Sequence, residues 1–190
     1  APGAAIFPTL LALDVTEAAP LARVAVATLE RLRHNFSVRN PNILQRLESL
    51  LAAEPIFIAG GAVLHALTVD EQTRFGATLW HHHELQARKS DIDIFVHAAS
   101  APEASHICHA IYTALAVDQE VWLVTRGSGV VNITHVDNNA DNLTVQVVLR
   151  LYDSPSEVLH GFDVDCACVG FDGTAVWALP RCVRALRTGV

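Results

Sequence analysis

The feature that most restricts the fold of this chain is an apolar segment, followed by two glycines and then by a helical pattern. Residues 56–67 read IFIAGGAVLHAL, and Pro55 stands directly before them. A short apolar run after a proline predicts a buried strand, and paired glycines accommodate a tight turn. The segment therefore predicts a strand, a glycine turn at Gly60 and Gly61, and a helix.

The rest of the chain alternates between helical and strand patterns. Helices are predicted over 20–35, 43–53 and 102–116, then after Ser154 and from Pro180. Strands are predicted at DIDIFVHA, VWLV, VVNITHV, LTVQVVLRLY, FDVDCACVG and TAVWAL, with a hairpin between VVNITHV and LTVQVVLRLY. This order predicts an α/β or α+β fold, a mixed sheet flanked by helices.

Composition favours a single domain spanning residues 1–190. Hydrophobic residues make up 51% of the chain and charged residues 17%, which is enough for a buried core. The N-terminal helices at 20–53 precede the glycine turn, and the polar, aperiodic residues 69–90 are predicted to be an insertion. No apolar run reaches the roughly 18 residues that a membrane span needs.

The composition also bears on the binding partners and the cellular location of the chain. The formal charge of −7 argues against binding a long nucleic acid over the whole surface. The four cysteines are expected to be reduced thiols, which favours an intracellular, cytoplasmic location. The start has neither Met nor a basic segment, so it is not an intact secretory signal and is consistent with a trimmed or excised domain.

Two pairs of aspartates head predicted strands. Asp91 and Asp93 flank Ile92, and Asp163 and Asp165 flank Val164. Because strand side chains alternate between faces, each pair should share one face, and adjacent strands would gather three or four carboxylates. Such a cluster is costly unless a cation neutralises it, and carboxylate oxygens suit Mg²⁺ or Mn²⁺.

The glycine turn adds the second half of a nucleotide site. Backbone N–H groups at a glycine-rich helix start can approach a phosphate closely. Two divalent cations held by shared aspartates would activate an attacking hydroxyl and stabilise a leaving pyrophosphate. The combination predicts in-line phosphoryl or nucleotidyl transfer.

At these residues the sequence resembles the nucleotidyltransferase superfamily of the DNA polymerase β type. The family pattern is an apolar strand ending in Gly-Gly or Gly-Ser, an Asp-x-Asp or Glu-x-Asp strand, and a third carboxylate on a later strand. The matching segments are IAGG, SDIDIF and FDVDC, within residues 55–170. The distance from Gly61 to Asp91 exceeds the family spacing, which is why 69–90 is assigned as an insertion.

The resemblance implies a metal-dependent enzyme that moves a nucleoside monophosphate from an NTP to a hydroxyl acceptor. Gly60 and Gly61 would hold the triphosphate, and Asp91 and Asp93 would ligate two Mg²⁺ or Mn²⁺ ions. Asp163 or Asp165 would supply the third carboxylate, with a slight preference for Asp163. Ser90 and Lys89, directly before Asp91, are further candidate nucleotide-binding residues.

Several alternatives remain open at this point. The acceptor could be RNA, another nucleotide, a small molecule or a protein side chain, and we favour a small or local one. The same fold could instead serve as a non-catalytic binding or assembly platform, for example as a fragment of a larger or viral polyprotein. His81, His82 and His83 are expected in a solvated loop. Gln146 would line the pocket if its strand neighboured the FDVD strand.

Overall fold

A computed structural model of the chain describes residues 10–12, 28–67, 91–98, 100–117, 121–136 and 142–188. These residues contain eight strands, six α-helices and one 3₁₀ turn. The elements are β1 (Leu11–Ala12), α1 (Leu29–Arg39), α2 (Ile43–Ala53), β2 (Ile56–Ala59), α3 (Gly61–Leu67), β3 (Ile92–Val96), α4 (Ala101–Leu115), β4 (Trp122–Arg126), β5 (Val130–His135), β6 (Leu143–Val148), α5 (Pro155–His160), the 3₁₀ turn (Asp165–Ala167), β7 (Val169–Phe171), β8 (Val176–Ala178) and α6 (Pro180–Thr188).

The strands form one mixed sheet in the order β1-β8-β7-β2-β3-β6-β5-β4. β3 and β6 are parallel, and the other neighbouring strands are antiparallel. The prediction of helices combined with a mixed sheet is therefore confirmed. The hairpin of β5 and β6 and the strand, glycine turn and helix of residues 56–67 are also confirmed.

The two faces of the central strands differ in polarity. On β3, Ile92 and Ile94 are fully buried, whereas Asp93 between them is only partly buried. β6 repeats the pattern with Val145 and Val147 buried on either side of Gln146. Because side chains alternate along a strand, the four buried aliphatic residues lie on one face, and Asp93 and Gln146 lie on the other, which they share with the buried Phe95.

Helix packing follows the apolar positions of each helix. α2 packs against α4, α1 against α3, and α6 against the 3₁₀ turn. α4 begins as its capping pattern predicts, with the Ser100 hydroxyl accepting a hydrogen bond from the backbone N–H of Glu103. None of the helices in the described part of the chain has the length and apolarity needed to cross a bilayer.

The prediction of a strand through FDVDCACVG is wrong in its first half. Asp163 and Val164 lie in a loop, Asp165 opens the 3₁₀ turn, and the strand contains only Val169–Phe171. The chain turns here because Arg181 and Arg184 bind Asp165 and because the Cys168 thiol donates to the carbonyl of Val164. Asp163 and Asp165 consequently do not share a strand face.

Several predicted features lie outside the described residues. They are the insertion at 69–90 with His81, His82, His83, Lys89 and Ser90, and the first part of the predicted helix at 20–35. The described part of that helix runs from Leu29 to Arg39 and extends further than predicted.

Candidate functional site

A pair of carboxylates stands at the head of β3. Asp91 is exposed, and Asp93 is partly buried on the polar face of the sheet. Burial and, to a smaller extent, the nearby charge of Asp91 together raise the pKa of Asp93 to about 6. Desolvation and a like charge both disfavour the ionised form, so a bound cation would relieve the cost of keeping Asp93 charged.

The glycine turn lies directly beside Asp93. Gly60 has φ 84° and donates its backbone N–H to the carbonyl of Val169 at 2.9 Å. A Cβ on Gly60 would stand 2.8 Å from a ring carbon of Phe162 and 3.7 Å from Oδ2 of Asp93. The turn therefore needs glycine at this position, both for its backbone conformation and for the close approach of the Phe162 ring.

The next residue leaves space open at the start of α3. A Cβ on Gly61 would meet no heavy atom within 4 Å. Gly61 is itself partly exposed.

The ring of Phe162 packs against the Gly60 turn. Its ring lies 5.7 Å from that of Phe95, which stacks edge-on against Tyr152 at 5.6 Å. The carbonyl of Phe162 accepts a hydrogen bond from the guanidinium of Arg181. The position of Phe162 is therefore fixed from both its ring and its backbone.

Asp165 lies in an ion pair rather than beside Asp91 and Asp93. Its Oδ1 accepts from Arg181 at 3.0 Å, and its Oδ2 accepts from Arg184 at 3.2 Å. Asp163, two residues earlier, is exposed. The described residues contain no group of three or more His, Cys, Asp or Glu side chains that could hold a metal ion. The predicted cluster of three or four carboxylates is therefore not formed in this structure.

The strand beside β3 carries Gln146 next to Asp93. Asp93 and Gln146 are register partners in the parallel pair, and Asn132 of β5 is the register partner of Gln146 on its other side. Sequence reasoning placed Gln146 on the pocket side only if its strand neighboured the FDVD strand. Its neighbour is instead the Asp91–Asp93 strand, a pairing between distant segments that periodicity alone cannot reveal.

Asp91 and Asp93 remain together at the head of β3, whereas Asp165 is bound to two arginines. The carboxylates of Asp91 and Asp93 form a pair of oxygen donors of the kind that Mg²⁺ or Mn²⁺ prefers. The pKa of Asp93 is raised by burial and by the charge of Asp91. Shared ligation by Asp165 does not fit, because both of its oxygens are bound by arginines.

Comparison with known proteins identifies the family. Residues 30–189 match the model of the Gabija anti-defense 2 family. The chain belongs to the Gabija anti-defense 2 family. The match includes every residue of the site described above. A protein of Acanthamoeba polyphaga mimivirus, described only as uncharacterized, is 24% identical over 170 residues, which cover 81% of this chain and 32% of that protein. The chain thus spans about a third of the length of that relative.

Proposed function

We propose that this member of the Gabija anti-defense 2 family is a nucleotidyltransferase domain. It binds an NTP together with Mg²⁺ or Mn²⁺ and transfers the nucleoside monophosphate to a hydroxyl. The observation that carries the proposal is the position of the Gly60 turn beside the Asp93 carboxylate, set by the pairing of Ala59 with Asp93. It joins a glycine turn suited to phosphate and an acid suited to a cation in one place. We further propose that the transfer serves the anti-defense role for which the family is named.

Each residue of the site has a separate role in this proposal. Asp91 and Asp93 hold the cation, which when bound supplies positive charge for the phosphates of the substrate. The open backbone at Gly61 donates to phosphate oxygens, which binds the triphosphate beside the carboxylates. Phe162 covers the turn and limits access of water to Asp93, which is consistent with the raised pKa of that acid.

The acceptor is proposed to be small or local. The chain carries a formal charge of −7, which opposes extended contact with a phosphate backbone. An intracellular location is proposed on the grounds of four free cysteines, Cys108, Cys166, Cys168 and Cys182, because reduced thiols persist in reducing compartments.

A second candidate is a non-catalytic module of the same fold. The engagement of Asp165 by Arg181 and Arg184 favours it, because a carboxylate that the resemblance assigns to the metals has a structural role instead. Such a module would present a binding surface without nucleotidyl transfer.

Nucleotide-dependent thermal stabilisation separates the two candidates. Ligands that bind the folded state raise its melting temperature. We expect Mn²⁺ with an NTP to raise the melting temperature of the wild type, and Asp93→Asn to abolish that increase. The matched control is Asp163→Asn, which removes an exposed acid from the loop beside Phe162 and should keep the increase. Pyrophosphate release by the wild type then separates transfer from binding alone, since a binding platform produces none.

A further inference from the structure

Gln146 lies where a third ligand of a cation at Asp91 and Asp93 would be expected. β3 and β6 are parallel, and Asp93 and Gln146 are partners in their register. Register partners on neighbouring strands point to the same face and lie about 4.8 Å apart across the sheet. The neutral amide of Gln146 is therefore the next side chain along the polar face from Asp93.

Asn132, on the other side of Gln146, offers an acceptor for its amide nitrogen. The Asn132 Nδ2 donates to the Thr125 hydroxyl at 3.3 Å. Its Oδ1 is buried and has no hydrogen-bond partner among the described residues. A buried acceptor of this kind is costly to leave unpaired. Donation from Gln146 to this oxygen would satisfy it and leave the other amide atom of Gln146, its carbonyl oxygen, for the Asp93 side.

We propose that Gln146 is the third oxygen ligand of the cation held by Asp91 and Asp93. The inference rests on the proposed function, and it replaces Asp163 or Asp165 with a neutral side chain on the strand next to β3. The protein then supplies two negative charges in place of three. The cation is held more weakly by the protein alone, so most of its binding depends on the phosphates that arrive with it.

Binding of Mn²⁺ alone, followed by electron paramagnetic resonance, tests this assignment without measuring activity. Gln146→Glu adds a charge at the proposed ligand position, and we expect it to tighten Mn²⁺ binding at least about tenfold. Gln146→Ala removes the oxygen and should weaken binding several-fold. The matched control is Leu123→Glu, which adds the same charge at an exposed position on the same face of β4, three strands or about 14 Å from β3. It should leave Mn²⁺ binding unchanged.

The outcomes distinguish this inference from the proposed function. Tightening by Gln146→Glu that disappears when Asp93→Asn is added supports the assignment, whether or not NTP binds. Equal Mn²⁺ binding by the wild type, Gln146→Glu and Gln146→Ala, with binding lost in Asp93→Asn, overturns the role of Gln146 and leaves the cation site in place. Unchanged Mn²⁺ and NTP binding in Asp93→Asn overturns both, because the cation then lies elsewhere.

Discussion

Oδ2 of Asp93 would stand 3.7 Å from a Cβ placed on Gly60, so the acid of β3 and the turn after β2 share one small volume. Antiparallel pairing of Ala59 with Asp93 produces this contact, because it aligns the end of β2 with the head of β3. The sheet thus brings together two segments that are far apart in the sequence. The proximity of the Asp93 carboxylate to the Gly60 turn is the basis of the proposed nucleotide site.

Asp93→Asn is expected to stabilise the protein while removing its response to a cation. The wild type pays to keep a partly buried carboxylate ionised at pH 8, since the pKa of Asp93 is raised to about 6. Because the group is partly exposed, we expect the free energy of unfolding to rise by only about 1 kcal/mol in the variant. Urea unfolding at pH 8 measures it. A loss of stability would contradict the desolvation of Asp93.

The pH dependence of unfolding follows from the same group. The pKa of Asp93 is higher in the folded state than its ordinary value of 3.8, so between those values the folded state binds more protons. The stability contributed by protonated Asp93 is therefore complete below pH 3.8 and is lost as the pH rises through about 6. The difference between wild type and Asp93→Asn should shrink as the pH falls from 8 to 4. A difference that is constant over this range would show that Asp93 does not titrate as described.

Cation binding should have the opposite dependence on pH. The carboxylate must be ionised to hold a metal, so protons and cations compete for Asp93. Below pH 6 we expect the apparent Mn²⁺ affinity to fall, approaching about tenfold for each pH unit. Titrations at pH 5, 6, 7 and 8 measure this dependence. A profile that is flat from pH 5 to 7 would exclude Asp93 as a ligand.

The two glycines should respond differently to replacement by alanine. Gly60→Ala forces a left-handed conformation on alanine and displaces Phe162, so it should destabilise the fold by at least about 1–2 kcal/mol. Gly61→Ala meets open space at a helical residue and should leave stability unchanged or raise it by up to about 1 kcal/mol. Thermal unfolding compares the two, with Gly61→Ala as the control. Equal losses of stability would contradict the described turn.

Nucleotide binding by Gly61→Ala checks the approach of phosphate to the turn. The added methyl group would occupy the open space beside Gly61, so we expect the affinity for Mn²⁺ with NTP to fall while Mn²⁺ alone binds as before. Calorimetric titration of both ligands separates the two effects. An unchanged affinity for NTP would show that the triphosphate does not bind beside Gly61.

Asp165→Ala tests whether this acid is structural or a metal ligand. The variant leaves Arg181 and Arg184 without their shared carboxylate, and because these pairs are partly exposed the loss should be about 1 kcal/mol, smaller at high salt. Asp163→Ala, at an exposed position of the same loop, should have little effect. Mn²⁺ binding should persist in both variants. If Mn²⁺ binding were lost in Asp165→Ala but kept in Asp163→Ala, Asp165 would be a metal ligand.

Local patterns predicted the individual elements of this fold well. The capping serines before α4 and α5 and the glycine turn after β2 depend on interactions within a few residues, and the structure confirms them. Local chemistry therefore located the carboxylates and the glycines of the candidate site.

Contacts between distant segments could not be predicted in the same way. The alternation in FDVDC is typical of a strand, yet Arg181 and Arg184 on α6 bind Asp165 and the chain forms a 3₁₀ turn. The neighbour of β3 is β6, which places Gln146 beside Asp93. Neither strand's periodicity indicates which strand lies beside it, so the position of Gln146 next to Asp93 could not be predicted from the sequence.

Pyrophosphate release shows directly whether the site at Asp93 transfers a nucleoside monophosphate from an NTP. The wild type is incubated with Mn²⁺ and each of the four NTPs, with Asp93→Asn and Asp163→Asn alongside it. A nucleotidyltransferase that depends on Asp93 should release pyrophosphate as the wild type and as Asp163→Asn with at least one NTP, and none as Asp93→Asn. Release that is equal in the wild type and Asp93→Asn, or absent from all three proteins with every NTP, would contradict this prediction.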